Sequence, residues 1–218
     1  SLFDIRSREN VIFVCVHNLH IKERVEKLKC FESIDSSLRG FGWRLVIIHN
    51  SDTEIEETSL DVVEMKNVKV PWWFRSVLEL KNSFFRTRFF EACELSKGFS
   101  ESMSQKYSFH KAMNTVAEEY NKVLYLTLKY KPYQMLLWHQ WNSFAHMNIG
   151  ICKAFSINHA FVHEGVIPNT FSVDFEGEMA ECSILNHPDY YNSIEINSAD
   201  SEMANKYISD VVENDQDR

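Results

Sequence analysis

Val11-Ile12-Phe13-Val14-Cys15-Val16 is an unbroken apolar run rich in β-branched residues. A half-exposed strand alternates polar and apolar residues, whereas a strand covered by helices on both faces of a parallel sheet does not. The run therefore predicts a buried parallel strand. Downstream, Ile21, Val25, Leu28, Cys30 or Phe31, Ile34 and Leu38 recur at helical spacing and stop at Gly40, a residue suited to a helix C-cap. Trp43 to Ile48 is a second apolar strand, so the stretch reads as a βαβ unit, which closes right-handed in nearly every protein.

The pattern returns later in the chain. Gln134 to Gln140 reads as a strand, Asn142 to Phe155 as a helix, and Ala160 to His163 as the strand that delivers Glu164. Between the two units, Ser51-Asp52-Thr53-Glu54 has the capping-box pattern and Leu60 to Met65 reads as a third, weaker strand. Pro71 to about Leu95 is dense in aromatics, with Arg75, Glu79, Asn82 and Arg86 on a polar face, and predicts a long amphipathic helix. Ser100 is placed to cap another helix carrying Met103, Tyr107, His110, Met113, Val116, Ala117 and Tyr120, which Lys131-Pro132 must end. Beyond Gly165 the chain turns irregular until Ser198 caps a last helix running from Ala199 to about Val212. The expected fold is α/β: a Rossmann-like parallel sheet flanked by helices over 1–197, with a terminal helix and tail at 198–218.

Composition bounds the function. A net charge of -8 argues against a nucleic-acid binder, which neutralises phosphates with clustered Lys and Arg. The five cysteines are odd in number and irregularly spaced, and three lie in apolar runs, so free thiols in a cytoplasmic protein are expected. No apolar stretch approaches the ~18 residues of a membrane span, although Arg75, Lys81, Arg86 and Arg88 among aromatics suit either a membrane surface or the wet side of a helix. No His-Glu-x-x-His, His-x-Glu or Cys-x-x-Cys pattern occurs, so no metal is expected. Gly-x-Gly-x-x-Gly and Gly-x-Ser-x-Gly are also absent, which disfavours a nicotinamide cofactor and a serine hydrolase.

In open α/β sheets the ligand sits outside the carboxyl ends of the strands. Glu164 followed by Gly165 stands at such an end, where a cleft raises a carboxyl pKa towards the value a general acid needs. The alternative is that Glu164 caps a local turn or pairs with a surface lysine. His163 is adjacent, so in a strand the two side chains point to opposite faces. Trp138-His139-Gln140-Trp141-Asn142 falls at the neighbouring strand end, and aromatic faces with amides between them suit a sugar-binding cleft. Trp138 reads as core, while Gln140 and Trp141 fit core and cleft equally. His17, Asn18 and His20 follow the first strand and would line the same crevice.

Lys131-Pro132, the strand ending in Trp138, the helix with Cys152-Lys153, and the run from Phe161 through His163-Glu164-Gly165-Val166-Ile167-Pro168-Asn169-Thr170 to Asp174 and Gly177 carry a family likeness. The segment Lys131 to Ser183, a quarter of the chain, resembles the Kdo transferases of bacterial capsule and O-antigen assembly. Their pattern runs Glu-x-Gly, two hydrophobic residues, Pro-Gly-Thr, an acidic residue and Gly. Here Asn169 replaces the second glycine, and Glu178-Met179 stands where Val-Asn is commoner.

The resemblance implies a retaining glycosyltransferase of two Rossmann-like domains of the GT-B kind, using CMP-Kdo as donor and a lipid-linked glycan or oligosaccharide as acceptor, with no obligatory metal or other cofactor. It implies that Glu164 is the acid/base handling the acceptor hydroxyl, with His163, Gly165, Gln140, Trp141, Asn169, Thr170 and His17 around the substrate. A retaining mechanism asks for a second carboxylate about 5 Å away, and Asp174 and Glu178 are the nearby candidates in this chain. Because the sequence begins with Ser and ends in Glu213-Asn214-Asp215-Gln216-Asp217-Arg218, it reads as the N-terminal, acceptor-side half of such an enzyme, whose second domain lies beyond residue 218 and which works at the cytoplasmic face of the inner membrane. The other reading is a non-enzymatic glycan- or partner-binding module on the same scaffold.

Overall fold

The computed structural model of the chain describes residues 10–17, 24–50, 58–72, 74, 83–102, 108–164, 171–177 and 181–215. Strand β1 (Asn10–Val16) leads to helix α1 (Arg24–Arg39), β2 (Trp43–His49), β3 (Asp61–Glu64) and a single 3-10 turn at Met65–Asn67. Helices α2 (Ser83–Ser102) and α3 (Phe109–Tyr130) follow, then β4 (Gln134–Trp138), α4 (Ser143–Phe155), β5 (Asn158–Glu164) and β6 (Phe171–Asp174). Three further helices, α5 (Ser183–Asn186), α6 (Pro188–Asn192) and α7 (Ser198–Asp215), complete the described chain.

The six strands form one sheet in the order β3-β2-β1-β4-β5-β6, parallel throughout except for β6, which runs antiparallel to β5. The fold is α/β and Rossmann-like. The order reverses between β1 and β4, the neighbours at the centre, so the crossovers on either side place their helices on opposite faces. Leu28 and Phe31 of α1 pack with Val14, Val16, Leu45, Ile47, Trp138 and Val162 on one face. Helices α2, α3 and α4 cover the other, where Phe13, Cys15, Val46, Ile48, Met135, Leu137 and Phe161 point. Strands sandwiched in this way lose both faces to apolar neighbours, and Phe13, Val14, Leu45, Ile47, Met135 and Leu137 have no measurable exposure.

One buried carboxylate locks the first βαβ unit. Asp35 of α1 accepts the Leu45 N–H at 2.7 Å through Oδ1 and the Arg39 Nε–H at 2.6 Å through Oδ2. The chain reverses into β2 at Gly42, whose φ of 76° only glycine adopts without strain. The left-handed residue is thus Gly42, with Phe41 and Gly42 N–H groups closing on Leu38 and Arg39 carbonyls, and not the expected cap Gly40.

Three other boundaries differ from expectation. Helix α2 runs seven residues past Leu95 and carries Ser100 inside it; the N-cap of the next helix is Ser108, whose Oγ accepts the Lys111 N–H at 3.2 Å. Asn197, not Ser198, caps the last helix, its Oδ1 accepting the Asp200 N–H at 2.8 Å. Phe171–Asp174 is a strand, because it finds a partner in β5 that its own sequence does not announce. The capping-box segment 51–54, and residues 73 and 75–82 of the stretch from Pro71 to Leu95, lie outside the described residues. Among the described residues no helix is long and apolar enough to cross a membrane.

Candidate functional site

The carboxyl ends of β1, β2, β4 and β5 meet at one edge of the sheet, and the residues just beyond them come from all the segments the sequence singled out. His17 follows β1, Asn50 follows β2, His139 to Asn142 follow β4, and Glu164 is the last residue of β5. The segment after β4 is held tightly. His139 has φ 62°, in the left-handed region that a histidine rarely occupies, and its N–H is bound to the Val162 carbonyl at 3.2 Å. The chain then turns into α4, whose first turn is capped by Asn142: its Oδ1 accepts the Ala145 N–H at 2.8 Å.

A cavity of about 230 Å³ opens at this edge, on the face covered by α2, α3 and α4. It is lined by His17, Leu95, Ser96, Ser100, Thr115, Glu119, Trp141, Asn142 and Ser143. Its position beside β1 and β4 is the reversal point of the strand order, where Rossmann-like sheets hold their ligands. The indole of Trp141 is half exposed there, while Trp138 is core, edge-on to Phe31 and Phe171.

Two lining groups carry unusual electrostatics. Glu119 reaches up from α3, where burial pushes its carboxyl pKa from 4.5 to about 7 against the lowering effect of the Asn50 amide and Lys122. Its Oε1 accepts a hydrogen bond from Asn50 Nδ2. Burial also lowers the His17 pKa, so the imidazole is neutral. Both leave one polar atom out of contact with water and without a hydrogen-bond partner among the described residues: Nδ1 of His17 and Oε2 of Glu119. Thr127 Oγ1 and Asn148 Oδ1 share that state, but neither lines the cavity. An unpartnered buried polar atom costs on the order of 1–3 kcal/mol, so these two, enclosed in the wall of the cavity, are a local cost that the surrounding packing offsets.

Of the residues expected at the site, His17 and Trp141 line the cavity and Gln140 does not. Gln140 is only 4% exposed, and its Nε2 donates to Glu181 Oε2 at 3.1 Å. His163 is half-buried near the end of β5, paired with Ser172 of β6. The backbone of Glu164 pairs with Phe171, whereas its side chain, and Gly165, Asn169 and Thr170, lie outside the described residues, as do Asn18 and His20. Glu119 was not anticipated. It had left a trace, since Ala112, Val116, Glu119 and Val123 recur at the spacing of the buried face of α3.

The acidic residue and glycine after β6 have a structural use. Asp174 accepts the N–H groups of Glu176 and Gly177 through Oδ1, and the Ser183 N–H at 2.9 Å and hydroxyl at 2.6 Å through Oδ2. Partial burial raises its pKa, but these donors outweigh it and hold the carboxylate below its ordinary value. A Cβ on Gly177 would lie 2.7 Å from Glu181 Cβ and 2.8 Å from its carbonyl oxygen, so only glycine fits. Asp174, with both oxygens engaged, organises this turn. Among the described residues no group of three His, Cys, Asp or Glu side chains is placed to hold a metal ion.

Comparison with protein families, with curated proteins and with solved structures found no match to this chain.

Proposed function

We propose that this chain is the acceptor-side domain of a retaining glycosyltransferase that moves Kdo from CMP-Kdo onto a growing bacterial surface polysaccharide. The observation that carries the reading is the convergence at one sheet edge. His163 and Glu164 end β5 beside the β4 end, and the same edge opens into the cavity lined by Trp141, Asn142 and His17. An aromatic face with hydroxyls and an amide around it suits a sugar ring. In this reading Glu164 serves as acid/base to the acceptor hydroxyl, and the CMP-Kdo site with its nucleophile belongs to a second domain. Asp174, saturated by four donors, is not the nucleophile.

The spacing of the motif sharpens the test. In the Kdo transferase pattern the glutamate stands two residues before the glycine, a position filled here by His163, and the carboxylate comes one residue later. Adjacent strand residues face opposite sides of a sheet, so the two side chains are not interchangeable. In a protein joining this domain to its donor domain, Glu164→Gln is expected to leave the circular dichroism spectrum unchanged and abolish transfer of labelled Kdo. Near-normal transfer by Glu164→Gln, with transfer lost in His163→Gln, moves the role to the imidazole. Transfer surviving both substitutions removes the motif from the chemistry.

A further inference from the structure

We infer that the groove at the amino-terminal edge of the sheet, between Tyr133 and Phe175, receives helix α7 of a second copy of this chain, in a two-fold dimer where each copy fills the other's groove. The helix supplies the first observation. From Ser198 to Asp210 every residue except the half-buried Tyr207 is exposed, Met203 by 68% and Ile208 by 56%. Helices in proteins draw most of their stability from packing an apolar side, and within the chain this side stays in water. Asp200, Met203, Tyr207 and Asp210 recur at i, i+3, i+7 and i+10, so two apolar anchors stand in one row with a carboxylate at either end.

The groove has the complementary build. At about 710 Å³ it is roughly three times the size of the cavity at the opposite edge, room for a row of side chains, and Tyr133 and Phe175 on its lining are both largely exposed. Lys153 lines it, Lys131 precedes Tyr133 by two residues, and no Asp or Glu lies among its described lining residues. Glu176, next to Phe175, is engaged by His187 Nε2 at 2.7 Å and by Asn186 Nδ2 at 2.9 Å. Helices α3 and α4 end at this edge, and Lys129 and Lys153 in their last turns oppose the partial negative charge of the terminal carbonyls. The lysine field is felt in the groove wall: burial, and after it the Lys153 charge, hold the His159 pKa below 6.5.

Charge selects the occupant. Helix α7 carries five carboxylates against Lys206 alone, so two such helices laid side by side would repel, whereas the groove offers lysines and aromatic rings to the row from Asp200 to Asp210. A contact made twice about a two-fold axis closes at two copies, while an unreciprocated one would run on into a filament. This edge lies at the other end of the strands from the candidate site, so pairing is independent of the sugar chemistry proposed above. At chain concentrations below the dissociation constant it adds little to the thermal midpoint.

The test is sedimentation velocity on the 218-residue chain across a concentration series. At about 0.15 M salt a Debye length of about 8 Å screens the net charge of -8 on each copy and leaves juxtaposed pairs to decide. A reversible dimer of twice 25.7 kDa is expected. Lys131→Glu with Lys153→Glu in one variant, and Asp200→Lys with Asp210→Lys in another, should each raise the dissociation constant at least about ten-fold. Mixing the two in equal amounts should restore the dimer, because reversed helix meets reversed groove at one contact and the parental pair persists at the other. Met203→Ser with Tyr207→Ser, on a helix outside the stable body, should abolish pairing even if the groove variant folds poorly. A parent that stays monomeric at every concentration overturns the inference, whether α7 lies against its own groove or against none. So does a dimer that the Met203→Ser, Tyr207→Ser variant retains, or a mixture of folded charge variants that remains monomeric.

Discussion

Glu119 and His17 bias the stability of the fold in opposite directions as pH changes. Folding raises the Glu119 pKa from 4.5 to about 7, so the folded chain holds this proton more firmly than the unfolded one. Its contribution is fully present below pH 4.5 and is lost as pH rises through about 7, an effect of up to about 3 kcal/mol. His17 is depressed below 6.5, so its contribution is present above that value and is lost as pH falls. Glu119→Gln is therefore expected to match the parent in urea midpoint at pH 4 and to exceed it at pH 8, leaving the His17 slope exposed below pH 6.5. Equal midpoints for parent and variant at pH 8 would mean that the carboxyl is better solvated than its burial suggests. Residues were the hardest scale to read from sequence. Glu119 stands beside a second glutamate, Glu118, and only the packing of α3 separates the two, Glu118 lying outward against Lys122 at 2.7 Å.

At the scale of elements, apolar runs identified strands well and caps identified helix starts poorly. Parallel strands announce themselves because both faces are covered; β1, β2, β4 and β5 were all legible for that reason. Between residues 96 and 108, however, serine occurs at 96, 100, 102, 104 and 108, and each can accept a capping hydrogen bond. Local sequence cannot choose among them. Packing does: Ala92 and Cys93 on α2 are fully buried, and α2 continues through Ser100. Strand β6 was illegible because four residues carry too little pattern, and its place depends on pairing with β5 and on Phe171 stacking over Phe31.

Asn142 is the cap with the greatest leverage, since it starts α4 and also lines the cavity. Asn142→Ala is expected to cost about 1 kcal/mol in urea unfolding, and Asn142→Asp to recover most of it, because a carboxylate also accepts the Ala145 N–H. A cost near zero for Asn142→Ala would show that another group takes over the first turn of α4.

For the molecule as a whole, the sheet and its helices form the stable body, and α7 adds little to it. Met203 and Ile208 of α7, and Ile194 and Ile196 before it, are largely exposed. Ending the chain after Asn197 is expected to change the thermal midpoint by less than about 2 °C, whereas a drop of more than about 5 °C would show that the helix supports the sheet. The fold class was the most legible property of the sequence, because hydrophobic period and strand spacing act over many residues at once. The cavity was the least, because its walls come from four segments that are distant in sequence and adjacent only once the strand order reverses at β1 and β4.

The sheet terminates on both flanks in strands of four residues, β3 on one side and the reversed β6 on the other. Rims this short offer little template for a foreign backbone, and β3 carries Asp61 and Glu64 at its two ends, with Asp61 bound to Arg44 at 2.7 Å. Rim-to-rim polymerisation between copies is thereby discouraged, and the long central strands can stay intensely apolar without making the protein prone to fibre growth.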